Sequence, residues 1–176
     1  MVKKYLLAGF GGQGILFSGK FLAYKGLMDG NNVSWLPSYG PEMRGGTANC
    51  SVIISDDLIG APIVLKPDVL IAMNVPSLDK YEDAVVPGGT IYVDSTMVDR
   101  KVKRDDVEVH YLPASMTATE KNMEGLANMI IMGKLLENEG ALKDESVEEA
   151  LSKCISARHQ DLYSINLDAM MIGSEM

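Results

Sequence analysis

A glycine-rich turn near the start of the chain has the spacing with which many proteins bring their backbone close to a phosphate group. Residues 9–14 read GFGGQG and satisfy the pattern G-x-G-x-x-G, between an apolar segment and a helical pattern. Glycine lets the backbone approach a ligand, and the first amides of the following helix can bind an anion. The turn predicts a Rossmann-like strand–turn–helix unit whose candidate cofactor-binding or subunit-interface residues are Gly9, Gly11, Gly12, Gln13 and Gly14.

A complete dinucleotide site requires a second feature that this sequence lacks. An acidic residue that holds the ribose hydroxyls is expected at the end of the second strand, about 20 residues after the turn. That region reads Trp35-Leu36-Pro37-Ser38, without an acid for the ribose or an arginine for a 2′-phosphate. The sequence therefore argues against a stand-alone NAD-binding protein. An anion or cofactor fragment, a tight helix–sheet contact and a contact with another subunit all remain open at the turn.

A second polar loop follows the second predicted strand. Residues 37–46 read PSYGPEMRGG and include two prolines and three glycines. Loops at the carboxyl edge of an α/β sheet often line a binding site. An ion pair between Glu42 and Arg44 on a solvated turn is the simpler alternative, and it would contribute little to stability. We expect a binding or subunit-interface role for Tyr39, Glu42, Arg44, Gly45 and Gly46.

The other groups that could do chemistry do not form a self-sufficient active site. Asp94 ends a predicted strand and is expected to cap the next turn, while His110 and His159 are lone histidines with expected structural roles. Ser18 lacks the G-x-S-x-G context of a nucleophile elbow. We therefore assign no catalytic residue and no metal site to this chain.

Length and composition fit one globular domain, residues 1–176, with 47% hydrophobic and 23% charged residues. The net charge of −8, without a basic cluster, argues against a nucleic acid or an anionic membrane as partner. No segment approaches the ~20 apolar residues of a membrane span. Cys50 and Cys154 form no C-x-x-C pair, which argues against a zinc or iron–sulfur site on this chain and fits a reduced, cytoplasmic setting.

Hydrophobic periodicity predicts a three-layer α/β/α fold with a mixed, mostly parallel sheet. Residues 47–54 alternate as a half-covered strand, and residues 58–65 could form its antiparallel hairpin partner. Gly19 and Gly26 are expected to let the first helix approach the sheet closely. The predicted strands are 4–8, 33–36, 47–54, 58–65, 67–74, 90–95 and 107–113, and the predicted helices are 14–28, 77–85, 119–137 and 144–157.

The predicted helix over residues 119–137 is apolar nearly all round, which indicates burial on more than one side. In a chain of this size, we interpret the surplus apolar surface as an interface that includes Asn128, Met129 and Met132. An isolated chain would then form a homodimer. Residues 159–173 are predicted to form a tail whose apolar anchors could reach a partner.

Five segments, in this order and spacing, carry a resemblance to a known family. They read LLAGFGGQGILFSGKFLA, PSYGPEMRGGTANCSVIIS, PDVLIAMN, GGTIYVDST and ANMIIMG. Together they resemble the gamma subunit of 2-oxoacid:ferredoxin (acceptor) oxidoreductases, and look most like those of the 2-oxoglutarate and 2-oxoisovalerate (ketoisovalerate) enzymes. The pyruvate and indolepyruvate enzymes carry related domains.

This resemblance implies a subunit of a larger enzyme, and an isolated chain without activity. The family's holoenzyme cleaves a 2-oxoacid oxidatively to an acyl-CoA and CO₂ and passes electrons to ferredoxin. Thiamine diphosphate with Mg²⁺, and the iron–sulfur clusters, are expected on thiamine-binding and ferredoxin-like partner subunits. By analogy, the two loops at residues 9–14 and 39–46 would lie near coenzyme A or near the thiamine-binding subunit. The alternatives are a stand-alone nucleotide-binding protein and a purely structural assembly subunit.

Overall fold

Six strands and six α-helices make up the part of the chain that the computed structural model describes, which is residues 1–39, 47–156 and 159–176. The strands are β1 (Val2–Phe10), β2 (Asn32–Tyr39), β3 (Thr47–Ser55), β4 (Val69–Ala72), β5 (Thr90–Asp94) and β6 (Glu108–Leu112). The helices are α1 (Ile15–Met28), α2 (Val75–Tyr81), α3 (Ala114–Glu120), α4 (Ala127–Asn138), α5 (Glu145–Cys154) and α6 (Gln160–Ser174). A single 3₁₀ turn, Glu82–Ala84, follows α2.

The six strands form one sheet in the order β2-β3-β1-β4-β5-β6. The strands β1, β4, β5 and β6 are parallel, whereas β3 runs antiparallel to both of its neighbours, β1 and β2. The predicted α/β fold with a mixed, mostly parallel sheet is therefore confirmed. The antiparallel strand β3 lies beside β1, and this position decides what surrounds the glycine turn.

Helices cover the two faces of the sheet unequally. One face packs against α1, α3, α4, α5 and α6 in a single large core. On the other face, apolar residues of β1, β4 and β5 pack against α2 and against residues 98–111. The three layers are therefore present, but among the described residues one outer layer has the short α2 as its one α-helix.

Close approach of α1 to the sheet depends on Gly19, as the sequence predicts. A β-carbon at this position would overlap the Sγ atom of Cys50 on β3 and would lie 3.1 Å from Nε1 of Trp35 on β2. Both of these strands contact α1. The helix can therefore lie directly on the antiparallel half of the sheet.

The predicted hairpin strand over residues 58–65 is wrong, because this segment is irregular. Both edges of β3 are already occupied by β1 and β2, so no edge is left for a further strand. The segment instead crosses the face of the sheet, where the backbone N–H of Val64 donates to Oγ of Ser51 at 3.4 Å.

The single long helix predicted over residues 119–137 is also wrong, since the chain forms two helices there. The helix α3 ends before Asn122, and α4 begins after Gly125. Both of these residues have left-handed backbone angles, with φ of 55° and 85°. Such angles interrupt a right-handed helix, and the chain changes direction between α3 and α4.

The predicted interface on α4 is a further correction. Asn128, Met129 and Met132 are buried inside the chain, with exposures of 4%, 0% and 0%. The segment predicted as a tail forms α6, which packs on α4 and supplies Ala169 and Met170 to the same core. The surplus apolar surface is therefore covered internally, and the predicted homodimer loses the surface on which it rested.

Candidate functional site

The glycine turn connects β1 to α1 through backbone conformations that favour glycine. Gly12 and Gly14 have φ of 98° and 75°, in the left-handed region that other residues rarely adopt. A β-carbon on Gly14 would also lie 2.6 Å from Cγ of Asn128, so this position is closed to side chains for two reasons. By contrast, a β-carbon on Gly12 would meet nothing within 4 Å. The turn thus leaves open space beside Gly12.

The side chain of Gln13 holds the turn in place rather than pointing into solvent as a free ligand group. Its Oε1 atom accepts from the backbone N–H of Phe10 at 2.6 Å and from Nδ2 of Asn74 at 3.3 Å. Its Nε2 atom donates to the carbonyl oxygen of Met73 at 3.0 Å. Gln13, predicted as a binding or interface residue, therefore links the turn to the end of β4 and to the start of α2.

The first turn of α1 offers backbone donors that this chain does not use. Gly14 is the N-cap residue and provides no side-chain acceptor. The first backbone amide of the helix with an acceptor is that of Ser18, which donates to the carbonyl oxygen of Gly14 at 3.0 Å. The backbone amides of Ile15, Leu16 and Phe17 form no hydrogen bond with any described residue. Such a helix start is a suitable site for an anion.

A cleft of about 210 Å³ lies beside the turn at the carboxyl edge of the parallel strands. Backbone and side-chain atoms from the turn, from the end of β4 and from α3 form its walls, and the connection into α4 completes them. The lining residues are Gly12, Gln13, Met73, Ser115, Ala118, Thr119, Glu124, Gly125 and Ala127. This is the sheet edge at which open α/β folds bind their ligands.

The second predicted loop begins and ends at the same sheet edge as the glycine turn. Phe10 at the end of β1 pairs with Thr47, and Tyr39 at the end of β2 pairs with Ala48. Of the predicted residues in this loop, Tyr39 is the last residue of β2. The other four lie outside the described residues: Glu42, Arg44, Gly45 and Gly46.

The strand order explains the missing ribose-binding acid. In a dinucleotide site, the acid stands at the end of a parallel strand next to the first one. Here the strand between β1 and β2 is β3. It is antiparallel to β1 and therefore begins, rather than ends, at the glycine edge. On the β3 side of β1, no position among the described residues is therefore equivalent to that of the ribose-binding acid. Strand topology and sequence therefore agree in arguing against an NAD site.

Asn128 on α4 stabilises the glycine turn through hydrogen bonds. Its Nδ2 atom donates to the carbonyl oxygen of Gly14 at 3.1 Å and to Oγ of Ser18 at 2.9 Å. Its Oδ1 atom is buried and has no hydrogen-bond partner among the described residues. One of the two polar atoms of this side chain is therefore hydrogen-bonded within the chain.

The structural roles predicted for Asp94 and His110 are confirmed. Asp94 is fully buried and accepts hydrogen bonds from the backbone N–H groups of Thr96 at 3.1 Å and Ser115 at 3.3 Å. The ring of His110 stacks on Tyr92, with ring centroids 4.9 Å apart, and lies 3.0 Å from Glu108. Neither residue lines the cleft beside the glycine turn.

A larger cleft of about 490 Å³ lies at the opposite edge of the sheet, where its charged groups satisfy one another. Lys25 pairs with Asp29 at 2.7 Å and with Asp144 at 3.0 Å. Glu139 pairs with Lys3 at 2.7 Å and accepts from the Tyr5 hydroxyl at 3.1 Å. These are the contacts of a structural ion-pair network, so the glycine edge remains the candidate site.

Comparison with known proteins gives the family of this chain. Residues 4–176 match the family described as Pyruvate ferredoxin/flavodoxin oxidoreductase. The chain belongs to this family.

Relatives within the pyruvate ferredoxin/flavodoxin oxidoreductase family include both short and long chains. Ketoisovalerate oxidoreductase subunit VorA of Methanothermobacter thermautotrophicus is 39% identical over 170 residues, which are 96% of this chain but 35% of VorA. The 2-oxoglutarate synthase subunit KorC of Methanothermobacter marburgensis is 37% identical over 183 residues, which are 100% of this chain and 97% of KorC. This chain therefore spans about a third of VorA and nearly all of KorC.

Two solved structures show the same fold. The gamma subunit of keto/oxoacid ferredoxin oxidoreductase from Geobacter sulfurreducens is 28% identical with a TM-score of 0.80, over 98% of this chain and 96% of that one. The 2-oxoglutarate:ferredoxin oxidoreductase of Magnetococcus marinus has a TM-score of 0.87 at 26% identity, over 99% of this chain and 30% of that one. It was solved with 2-oxoglutarate, coenzyme A and succinyl-CoA bound. The resemblance seen in the sequence is confirmed.

The described ranges lack two further features. No group of three or more His, Cys, Asp or Glu residues in the described ranges could hold a metal ion. Cys50 is buried and Cys154 is half-buried, and burial raises the pKa of their thiols to about 12 and about 11. No helix in the described ranges is both long enough and apolar enough to cross a membrane.

Sequence reasoning missed the residues that complete the cleft around the turn. Asn74 caps α2 by accepting from the backbone N–H of Ser77 at 2.9 Å, and it also donates to Gln13. Ser115, Thr119 and Glu124 reach the cleft from α3 and from the connection to α4. Asn74 carried a usable signal, because it lies two residues after the buried parallel strand β4 and directly before a Val-Pro helix start.

Proposed function

We propose that this chain is the gamma component of a cytoplasmic, multisubunit 2-oxoacid:ferredoxin oxidoreductase. The assembled enzyme would decarboxylate a 2-oxoacid oxidatively, transfer the acyl group to coenzyme A and pass the electrons to ferredoxin. Family membership and the near full-length match to KorC support this proposal. The substrate belongs to the group of 2-oxoacids that includes 2-oxoglutarate and 2-oxoisovalerate.

Within that enzyme, we infer that the glycine edge of this chain borders the path of coenzyme A. The observation that carries this inference is the start of α1, where three backbone amides form no hydrogen bond with the described residues, and which directly follows the turn with open space beside Gly12. Coenzyme A carries phosphate groups, and a helix start attracts such anions. The related enzyme of Magnetococcus marinus, which contains a domain of this fold, binds coenzyme A.

The redox and thiamine chemistry would belong to other subunits. The described residues include no cluster of metal ligands, and the buried thiol of Cys50 is not placed to bind an external iron–sulfur cluster. The described residues therefore offer no ligand set for an iron–sulfur cluster, and we assign the clusters and thiamine diphosphate with Mg²⁺ to other subunits. Thiamine-binding and ferredoxin-like partner subunits would hold them. The backbone groups of this chain would bind and orient the coenzyme A phosphates.

Gly12→Ala in the assembled enzyme tests the coenzyme A role. The new methyl group would stand in the open space beside the turn, so we expect the KM for coenzyme A to rise about 10-fold, with the KM for the 2-oxoacid unchanged. Gly30→Ala is the matched control, because Gly30 also has a left-handed φ of 82° and open surroundings but lies beyond the far end of α1. Both variants should carry the same backbone strain of about 1 kcal/mol.

The same experiment separates the alternatives. Equal coenzyme A kinetics for the two variants, together with an unchanged Arg44→Ala variant, would contradict the site and leave a purely structural assembly role. Tight binding of NADH to the purified chain, measured by calorimetry, would instead support a stand-alone nucleotide-binding protein. Absence of 2-oxoacid oxidation by the complex purified from its native cell would contradict the enzyme assignment itself.

A further inference from the structure

The cleft beside the glycine turn has one wall on which hydrogen-bond acceptors predominate. Its polar side chains are those of Ser115 and Thr119 from α3 and of Glu124 from the connection to α4, and we call these three residues the acceptor wall. A serine or threonine hydroxyl has one proton to donate and two lone pairs with which to accept. The group that receives this proton therefore decides what the hydroxyl offers to a ligand.

Ser115 donates its hydroxyl proton into the protein. Its Oγ atom donates to Oδ2 of Asp94 at 2.5 Å, and its backbone N–H donates to Oδ1 of the same residue at 3.3 Å. Asp94 is fully buried, and its Oδ1 atom also accepts from the backbone N–H of Thr96 at 3.1 Å. An ionised carboxylate can only accept, so the hydroxyl of Ser115 has no second proton for a ligand. What this side chain offers to the cleft is an acceptor oxygen.

Thr119 and Glu124 complete the acceptor wall. Oγ1 of Thr119 donates to the carbonyl oxygen of Ser115, one turn earlier on α3, at 3.1 Å. Because a carbonyl oxygen can only accept, this bond uses the single hydroxyl proton of Thr119. Glu124 forms no ion pair with any described residue, and an ionised carboxylate has no proton to donate. All three side chains therefore have acceptor lone pairs available at the cleft.

The starts of α1 and α3 differ in the same way. The amides of Met116 and Thr117 at the start of α3 donate to Oγ1 of Thr96 at 3.1 Å and to the carbonyl oxygen of Pro113 at 2.9 Å. By contrast, the first three amides of α1 form no hydrogen bond with the described residues. An anion is therefore attracted to the start of α1, whereas the carboxylate of Glu124 repels an anion from the acceptor wall.

Coenzyme A has chemically different parts that match this difference. Its nucleotide end carries phosphates, whereas its pantetheine arm is uncharged and carries amide N–H groups, hydroxyl and methylene groups. Met73, Ala118 and Ala127 supply apolar surface for methylene groups in the same cleft as the acceptor wall. At about 210 Å³, the cleft is smaller than the ~300–1,000 Å³ of pockets that enclose whole small-molecule ligands, so it would receive only part of coenzyme A.

We propose that the acceptor wall binds the pantetheine arm of coenzyme A through the amide N–H and hydroxyl groups of that arm. The phosphates of the nucleotide end would then lie towards the start of α1. This inference rests on the proposed function, because it assumes that coenzyme A passes the glycine edge. It adds the direction in which coenzyme A lies and the side chains that recognise its uncharged part.

Two double variants test the hydroxyl groups in the assembled enzyme. Ser115→Ala with Thr119→Val removes both hydroxyls from the acceptor wall. Ser152→Ala with Ser164→Ala is the matched control, because both of these serines also donate to carbonyl oxygens of their own helices, α5 and α6, and neither lines the cleft. We measure the KM for coenzyme A and the inhibition constant of adenosine 3′,5′-bisphosphate, a fragment of coenzyme A without the arm. We expect the first variant to raise the KM about 10-fold, because two hydrogen bonds are lost, without changing the inhibition constant. The control should change neither constant.

Glu124→Gln provides a second test that removes no hydrogen bond within the described chain. Glu124 is exposed, and glutamine has nearly the same shape. We expect the ratio of the KM for coenzyme A to the inhibition constant of the bisphosphate to rise about 3-fold, because the amide accepts more weakly than a carboxylate and no longer repels phosphate. Glu120→Gln, at an exposed residue of α3 that does not line the cleft, is the control and should leave this ratio unchanged.

The outcomes separate this inference from the proposed function. If Gly12→Ala raises the KM for coenzyme A but the acceptor-wall variants leave both constants unchanged, only the placement of the arm is wrong. Equal weakening of coenzyme A and of the bisphosphate would also overturn the proposal, because the nucleotide end would then lie at the acceptor wall. Equal coenzyme A kinetics for Gly12→Ala and Gly30→Ala would contradict the proposed coenzyme A role of the glycine edge, and this inference with it.

Discussion

Gly133 on α4 and Gly173 on α6 face each other's helices in a reciprocal contact. A β-carbon on Gly133 would overlap the carbonyl group of Met170 on α6, and one on Gly173 would overlap the carbonyl group of Ile130 on α4. The two backbones therefore touch without side chains between them. This crossing explains why α4, although apolar nearly all round, is covered by its own chain.

Replacing Gly133 should destabilise the protein more than its helical position suggests. Alanine is favoured over glycine by about 1 kcal/mol within a helix, but the new methyl group would press on the backbone of α6. We expect Gly133→Ala to lower the free energy of unfolding by about 3 kcal/mol, measured by urea denaturation. Met171→Ala, at a half-exposed neighbour on α6, should cost less than 1 kcal/mol. A Gly133→Ala variant as stable as the parent would contradict the close crossing.

The contact between α4 and α6 also shows which features of the fold cannot be predicted from the sequence. Local patterns were sufficient for β1, the glycine turn, α1 and the alternating strand β3, because their signals lie within a few residues of each other. Gly133 and Gly173 each look like an ordinary glycine near a helix, and they meet only when α6 folds back on α4. A periodic pattern that seems to leave apolar surface uncovered therefore cannot show whether a partner or a later helix covers it.

Strand order cannot be predicted from local sequence patterns either, and strand order matters more for the candidate site than the helix contact does. The sequence of β3 predicts a half-covered strand, but nothing local states that it inserts between β1 and β2. That insertion places Thr47, rather than a ribose-binding acid, beside the end of β1. The missing acid was visible in the sequence, while its structural reason was not. The cleft residues on α3 were missed because residues 114–120 carry no pattern that connects them to the glycine turn.

Asn128 and Ser18 should depend on each other for stability. Both side chains are buried, and Asn128 is hydrogen-bonded to Ser18 and to the backbone of Gly14. We expect Asn128→Ala to lower the free energy of unfolding by about 1–3 kcal/mol, because a buried carbonyl and a buried hydroxyl lose a donor. Asn31→Ala is a suitable control, since the Asn31 side chain has no hydrogen-bond partner among the described residues.

A double-mutant cycle that combines Ser18→Ala with Asn128→Ala measures the interaction energy between the two side chains. We expect the double variant to be more stable than the sum of the two single losses predicts, by at least 0.5 kcal/mol. Strict additivity would contradict a direct interaction between Ser18 and Asn128.

Stability should fall at alkaline pH, with Cys50 as one identifiable source. Burial raises the pKa of the Cys50 thiol to about 12, whereas an unfolded cysteine titrates near 8.5. The raised pKa means that the protonated thiol stabilises the folded state fully below about pH 8.5. This stabilisation is lost progressively as the pH rises towards about 12. Tyr92 acts in the same direction, because burial raises its pKa to about 12.

The change in unfolding free energy between pH 8 and pH 10, measured with reductant present, tests whether the Cys50 thiol contributes to this loss of stability. We expect the parent protein to lose about 2 kcal/mol more over this range than Cys50→Ala does. Ser51→Ala, at the next position on β3, has no titrating group and should keep the slope of the parent. Equal slopes for the parent and Cys50→Ala would show that the thiol does not titrate differently on folding.

Gln13 should fix the shape of the glycine turn without being required for the fold. Its side chain joins the Phe10 amide, the Met73 carbonyl and the Asn74 amide group. We expect Gln13→Ala to lower the free energy of unfolding by about 1–2 kcal/mol, since water in the adjoining cleft can replace part of these bonds. Hydrogen exchange at the Phe10 amide should become at least 10-fold faster. Thr119→Ala, which changes the opposite wall of the same cleft, should leave exchange in the turn unchanged, and equal exchange in both variants would contradict a positioning role for Gln13.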